Sequence, residues 1–255
     1  TEKLDKHKAM VRYTDAALGK IVRAVDELGI RDNTIIIWST DNGTSGGISG
    51  RRAGRLVRGG KAKLTENGVC APFVVNGPGL VPVGVETDAL TDFTDLLPTF
   101  CELAGAELPE GVEIDGRSIA PVILGRDASG PREWIMALGH GAAALDEQGV
   151  RPKQEFTDRV VRDRRYKLFV LDGKPQKLFD LKADPAESEN LIDSADPAVV
   201  AARRRLEAVV ASCPERDARP QYDPTPPQPW DRKPGDGSPK KGKRKAKREK
   251  TKKQQ

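Results

Sequence analysis

A chain of 255 residues with 37% apolar residues, 25 Gly and 19 Pro is long enough for one large domain or two smaller ones, but too polar to be packed throughout. The net charge of +5 is local: twelve Lys/Arg against two Asp/Glu from Arg232 to Gln255 give that stretch +10, which leaves −5 for residues 1–231. No apolar run reaches the length of a membrane span, and Cys70, Cys101 and Cys213 are odd in number and form no Cys-x-x-Cys pair, so neither a zinc knuckle nor a disulfide framework is indicated.

No signal peptide opens the chain, which signifies little because Thr1 falls inside a segment that reads as helical, so the start reads as cut. The spacing of Val11, Leu18, Ile21, Val25 and Leu28 predicts a helix over residues 8–28 with one apolar face. Gly29 follows as the residue that ends it in a left-handed conformation. The run Thr34-Ile35-Ile36-Ile37-Trp38 is continuous and β-branched, which suits a strand buried on both faces, as in a parallel sheet covered by helices. Helix followed by buried strand points to an α/β class.

A glycine-rich, basic loop comes next, ending in Gly59-Gly60-Lys61, and a second strand is expected from Val69 to Asn76. A short strand near Asp88-Ala89-Leu90 precedes a predicted helix whose inner face is Leu96, Leu97, Phe100 and Leu103. That helix carries Pro98 in its first turn, where a missing N–H is tolerated, and Gly105 at its end. One more short helix ends near Gly125. The pattern then changes to four short strands, Glu133–Leu138, Thr157–Arg162, Tyr166–Leu171 and Gln176–Leu181. The last two are joined across Asp172-Gly173, a strong hairpin signal. Asp196 as N-cap and Pro197 at the first helical position start a final helix, with Val199, Ala202, Leu206 and Val209 as its stripe. From about Pro214 the chain is rich in Pro, Gly and Lys and is expected to be disordered. The expected division is residues 1–125 for the α/β part, 126–213 for an antiparallel sheet with a helix, and 214–255 for the tail.

Three places carry candidate chemistry. Asp41-Asn42-Gly43 lies just past the carboxyl end of the first strand, where open α/β sheets bind ligands. A carboxylate beside an amide carbonyl offers hard oxygens to Ca²⁺ or Mg²⁺; the same three residues also make an ordinary turn, and the residues alone leave both readings open. Lys61 ends a loop that also holds Arg51, Arg52, Arg55 and Arg58. It suits either an oxyanion contact that stabilises a departing oxygen or a solvated surface. Glu66 is either a surface charge or a tie that holds this loop down.

The order of motifs resembles the formylglycine-dependent sulfatases of the alkaline phosphatase superfamily, from about Tyr13 to Leu191. The pieces are Tyr13-Thr14-Asp15-Ala16-Ala17-Leu18-Gly19, then Trp38-Ser39-Thr40-Asp41-Asn42-Gly43, then Arg58-Gly59-Gly60-Lys61 and Glu66-Asn67-Gly68-Val69-Cys70-Ala71-Pro72. Leu90-Thr91-Asp92-Phe93-Thr94-Asp95, Ile114-Asp115-Gly116-Arg117-Ser118, Arg165-Tyr166-Lys167-Leu168 and Leu178-Phe179-Asp180-Leu181 follow in the family's order. The resemblance implies a partial alkaline-phosphatase-like sheet followed by the antiparallel subdomain, in the C-terminal portion of such an enzyme.

It further implies that Asp41 and Asn42 are two ligands of a calcium ion, and that Lys61 contacts the sulfate and assists the leaving oxygen. The family's nucleophile is a formylglycine made within Cys-x-Pro-x-Arg. That motif does not occur in these 255 residues, so it and the remaining metal ligands are assigned to a missing N-terminal half. The chain by itself is then expected to be inactive. Cys70 stands where the family usually has arginine, and Asn67 where it usually has glycine.

By the same resemblance His140, in Gly139-His140-Gly141, lies beside the active-site mouth as a substrate contact; its other reading is an exposed loop histidine. The implied partner is a sulfated small molecule or carbohydrate, and the implied location is periplasmic or extracellular. A phosphate or phosphonate ester hydrolase of the same superfamily, and a noncatalytic polyanion-binding protein, are the alternatives. Lys240–Lys253 could grip polyanions without specificity, but without interleaved aromatics it offers no specific nucleic-acid site.

Overall fold

The computed structural model describes residues 2–52, 54–139, 144–146, 149–151 and 156–215. Among these, residues 2–139 and 156–215 lie in one compact unit, and residues 144–151 belong to another. The first unit is α/β and carries a four-stranded antiparallel sheet with a helix packed on it.

Helix α1 (Glu2–Glu27) is longer than its apolar spacing predicts because its first two turns are charged and need no core. Gly29 ends it at φ +67, and the Ile30 amide reaches back to the Val25 carbonyl at 3.3 Å, a left-handed closure that glycine adopts at little cost. No residue of α1 is buried. Strand β1 (Ile36–Ser39) follows. The hairpin β2 (Ser49–Arg52) and β3 (Arg55–Arg58) comes next, then a single turn α2 (Glu66–Val69) and β4 (Phe73–Asn76).

Two expectations change here. Strand β1 pairs with β4, antiparallel and in the register Ile36 with Asn76 and Ser39 with Phe73, and its four residues are half-buried. An apolar run reports burial and not strand direction, and the faces of this two-stranded sheet are only partly covered. Strand β4 also starts at Phe73 and not Val69, because residues 66–69 coil into α2, where the Cys70 amide bonds the Glu66 carbonyl at 2.9 Å.

No strand forms at Asp88–Leu90. The Thr87 hydroxyl instead bridges from the Ala89 amide to the Ala128 carbonyl. Helix α3 (Leu96–Ala104) ends at Gly105 with φ +65, as its sequence predicts. Its packed side is the predicted one only in part: Leu96 and Leu103 are half-buried, but Leu97 and Phe100 are each 47% exposed, whereas Pro98 and Thr99 are buried. The anchor on that side is polar. Buried Asp95 accepts from Arg132 Nη2 at 2.5 Å and from the Arg117 amide at 2.7 Å. The Thr99 hydroxyl accepts from the Ile119 amide at 2.9 Å. Helix α4 (Ala120–Ile123) follows.

The antiparallel sheet contains β5 (Ile135–Leu138), β8 (Arg159–Arg162), β9 (Tyr166–Leu171) and β10 (Lys174–Asp180) in the order β10-β9-β8-β5. Strands β6 (Ala144–Asp146) and β7 (Gly149–Arg151) form a separate antiparallel hairpin. Asp172 and Gly173, at φ +49 and +72, make the tight turn between β9 and β10 that a two-residue hairpin needs. Helix α5 (Pro197–Ser212) starts where Asp196 accepts from the Ala198 and Val199 amides. Its stripe meets the sheet as its spacing predicts: Ala202 and Leu206 are buried with Val161, Leu168 and Leu178, and Val199 and Val209 pack around them. All three cysteines are unpaired. Among the described residues no helix is long and apolar enough to cross a membrane.

Candidate functional site

The loop after β1 carries Asp41, which is exposed, and Asn42, which is half-buried. The loop after β3 carries Lys61, also exposed. Backbone hydrogen bonds stitch these loops together. The Lys61 amide donates to the Thr44 carbonyl at 3.0 Å, the Gly43 amide to the Gly68 carbonyl at 2.9 Å, and the Gly60 amide to the Asn67 carbonyl at 3.2 Å.

Glycine is required for this approach. A Cβ on Gly43 would lie 1.9 Å from the Asn67 carbonyl oxygen, and one on Gly68 would lie 2.1 Å from the Lys63 carbonyl oxygen. Gly59 meets the Ser45 carbonyl in the same way, at 2.1 Å. The three glycines therefore serve close backbone contact, since none has a positive φ. Ala62, directly after Lys61, is held at φ +69. Backbone strain of this kind costs about 1–3 kcal/mol in a non-glycine residue and persists where the surroundings over-determine it.

Glu66 resolves to the tie. Its Oε1 accepts from Lys167 Nζ at 2.9 Å and its Oε2 from Arg162 Nη1 at 2.5 Å. Its amide donates to Glu187 Oε2 at 2.7 Å. The Lys167 side chain is 0% exposed, and its ammonium also lies 3.0 Å from Glu187 Oε1, an ion contact without the alignment of a hydrogen bond. The ammonium sits 5.1 Å from the centre of the Phe169 ring. Glu187 itself is at φ +55. Two carboxylates thus flank one buried ammonium, the compensation that a buried charge needs, and Arg162 shares Glu66 with it through the other carboxylate oxygen. The lysine-bearing loop is fastened to β8 and β9 by this network.

The sequence signal for Lys167 was its place in Arg165-Tyr166-Lys167-Leu168, inside an otherwise apolar strand. A lysine pointing inward from such a strand demands a carboxylate partner, but nothing local says which one. His140 lies outside the described residues, as does the basic segment from Lys240 to Lys253.

Asp41 and Asn42 match in kind what an oxygen-ligated divalent cation takes, but they supply two residues where Ca²⁺ takes six to eight oxygens. Among the described residues no group of three or more His, Cys, Asp or Glu is gathered for a metal ion. The donor set fits part of a shell and does not close one. An open cleft of about 490 Å³ lies elsewhere, between residues 129–133 and 163–165. Three of its charges already have ion partners, Arg132 on Asp95, Asp163 on Arg205 and Arg165 on Asp180, and Arg164 donates to the Ser129 carbonyl. It holds none of the candidate residues.

Comparison with known proteins agrees over most of the described chain. A family model described as Sulfatase matches residues 1–106. A second, described as N-sulphoglucosamine sulphohydrolase, C-terminal, matches residues 60–211. Arylsulfatase A of Bos taurus is 33% identical over 228 residues, covering 77% of this chain and 41% of that protein. A solved structure of a 2-O GAG sulfatase superposes with a TM-score of 0.51 at 28% identity, over 71% of this chain and 36% of that one. A second solved structure, in complex with its substrate D-glucosamine-2-N,6-O-disulfate, shares the fold with a TM-score of 0.60 at 23% identity, over 79% of this chain and 38% of that one. The chain spans about two fifths of the length of the curated relatives it matches.

Proposed function

Because the chain belongs to the sulfatase family, we propose that it is the C-terminal portion of an enzyme that splits sulfate esters with water into an alcohol and sulfate. In this reading Lys61 binds the sulfate group through its ammonium and gives a proton to the departing ester oxygen. Asp41 and Asn42 supply two oxygens to a calcium ion. A calcium ion held there would serve to draw charge from the sulfate oxygens. The nucleophile in this reading is a formylglycine outside these 255 residues.

One observation carries the reading: the loop with Lys61 and the loop with Asp41 and Asn42 are sewn together by the Lys61–Thr44 and Gly43–Gly68 backbone bonds. Three glycines, where any side chain would collide, make that closeness possible. Groups held this way need no large rearrangement to meet one anion, which is how positioning lowers a barrier. Buried Lys167 ties the turn after the Lys61 loop to β9 through Glu66.

The substrate side of the proposal is a sulfated carbohydrate, supported by the relatives named for glycosaminoglycan and for glucosamine disulfate. Such a polymer is met outside the cytoplasm, and we place the parent enzyme there. His140 is proposed as a further substrate contact.

The test uses the full-length parent and a pair of aryl esters, one sulfate and one phosphate. Turnover of the sulfate ester, with kcat/KM reduced about 10²–10³-fold in Lys61→Ala as for loss of a transition-state charge contact, is the expected result. A preference for the phosphate ester, or an unchanged rate in Lys61→Ala, would overturn it. The 255-residue chain alone should show no turnover.

A further inference from the structure

The loop that ends in Lys61 is more than a connection. From Gly43 to Thr65 it carries Arg51, Arg52, Arg55, Arg58, Lys61 and Lys63 and no Asp or Glu, a charge of +6, while the other residues up to 231 sum to −11. This is an island of positive charge on an acidic body. The island is built and not merely solvated: β2 and β3 form a regular antiparallel hairpin with Arg52 directly opposite Arg55 and Arg51 opposite Leu56. The ladder continues down to the candidate site through the Gly59 amide on the Ile48 carbonyl and the Lys61 amide on the Thr44 carbonyl.

Like charges directly opposite each other across a strand pair destabilise it. Arg52 and Arg55 are exposed, and among the described residues no carboxylate lies within ion-pair reach of any of the six cations. Arg51 and Arg58 spend one donor each on the Gly54 and Gly46 carbonyls, which steadies them along the hairpin. A sequence free to choose would place a glutamate opposite one of these arginines. A bound anion removes the repulsion instead, and the planar guanidinium fork matches a tetrahedral oxyanion with two parallel hydrogen bonds.

We propose that this hairpin is a subsite for additional sulfate groups of a polysulfated carbohydrate, whose reacting sulfate lies at Lys61. The proposal rests on the sulfatase reading and names its substrate class. Strand β3 runs four residues from Arg55 to Arg58, roughly 10 Å, and Gly59-Gly60 links it to Lys61, so the subsite reaches beyond the sugar that carries the reacting sulfate. Residues 43–65 contain no aromatic side chain on which a nucleic-acid base could stack, which favours a sulfated sugar over a polynucleotide.

The test compares three probes on the full 255-residue chain: a dextran sulfate oligomer, a glucose 6-sulfate monosaccharide, and single-stranded DNA of charge equal to the oligomer. Amide exchange is followed on residues 49–58, so that contacts made by the basic C-terminal segment are not mistaken for hairpin contacts. The expected result is protection of the hairpin amides by the oligomer but not by the monosaccharide. In the Arg52→Gln/Arg55→Gln variant the oligomer should bind about five- to tenfold more weakly, with a shallower salt dependence. Unprotected hairpin amides, or oligomer binding that the double variant leaves unchanged, would overturn the subsite. Equal protection by the DNA would overturn its assignment to carbohydrate. The sulfatase reading is judged apart, by Lys61→Ala against aryl sulfate in the parent, and either claim can fail while the other stands.

Discussion

Lys167 and Glu66 stand 101 residues apart in the chain, yet the ammonium of one lies 2.9 Å from a carboxylate oxygen of the other. The bond joins the start of β9 to the turn that follows the Lys61 loop. Removing one partner of a buried pair costs about 3–5 kcal/mol when the charge left behind has no counterion; here Glu66 keeps Arg162, and Glu187 is the carboxylate left without a cation. Lys167→Met should therefore lower the unfolding free energy by about that amount in urea titration, with Glu66 and Glu187 left facing each other. Adding Glu187→Gln to it should restore part of the loss. A single-variant cost below about 1 kcal/mol would mean that the ammonium is not held as described.

Gly43 offers a sharper probe of how the two loops meet. An added methyl group would fall 1.9 Å from the Asn67 carbonyl oxygen, which is backbone and cannot swing away. Gly43→Ala should cost about 1–3 kcal/mol, the usual range for overpacking, and should release the exchange protection of the Gly43 and Lys61 amides together. Gly29→Ala would make a poor control, since that residue has φ +67. Gly50→Ala is a better one, with open space around its Cβ, and should leave those two amides protected.

How far the sequence discloses this structure depends on how far apart the deciding residues lie. The hairpin at Asp172-Gly173 and the helix start at Asp196-Pro197 are local chemistry, and both form as their residues predict. The stripe of α5 is equally legible because its period of 3.6 selects one face. Strand direction is not local. Nothing in Ile36–Ser39 indicates that its partner is Phe73–Asn76 running the other way. The buried side of α3 was hidden for a related reason: a carboxylate and an arginine 37 residues apart outweigh the apolar side that Leu97 and Phe100 display. At the candidate site, the motif residues Asp41, Asn42 and Lys61 could be named from their surroundings. The network behind them could not, because Lys167 finds its partners in Glu66 and Glu187 only after the chain has folded.

Acid should weaken the C-terminal sheet in a defined window. Hydrogen bonds from Arg165 hold the Asp180 carboxyl below its ordinary value, against the effect of burial and with help from the Ala183 and Lys182 amides. At Asp184 burial is the largest single influence and acts upward, but the Glu189 and Ser188 amides and the Ser188 hydroxyl together bring the carboxyl down. A carboxyl depressed in the folded state contributes stability that is complete above the unfolded value of about 3.9 and is lost as pH falls through the lower folded value. Unfolding free energy measured from pH 6 to pH 2 should thus be flat with respect to these two groups until about pH 4 and fall below it. Asp180→Asn should be less stable at neutral pH and show a shallower decline. A steeper decline in that variant would contradict the assignment.

Two helices with similar apolar stripes should respond oppositely to mutation. Leu206 of α5 is 1% exposed and packed against Val161, Leu168 and Leu178, so Leu206→Ala should cost about 2–5 kcal/mol by leaving a cavity at the sheet. Asp196→Ala, which removes the cap but not the packing, should cost about 1 kcal/mol. Ile21 of α1 is 55% exposed, and Ile21→Ser should change the stability of this chain by no more than about 0.5 kcal/mol. The contrast separates a stripe that is buried from one that is only displayed. If Ile21→Ser were as costly as Leu206→Ala in thermal and urea unfolding of the 255-residue chain, the apolar face of α1 would have to be packed and not exposed.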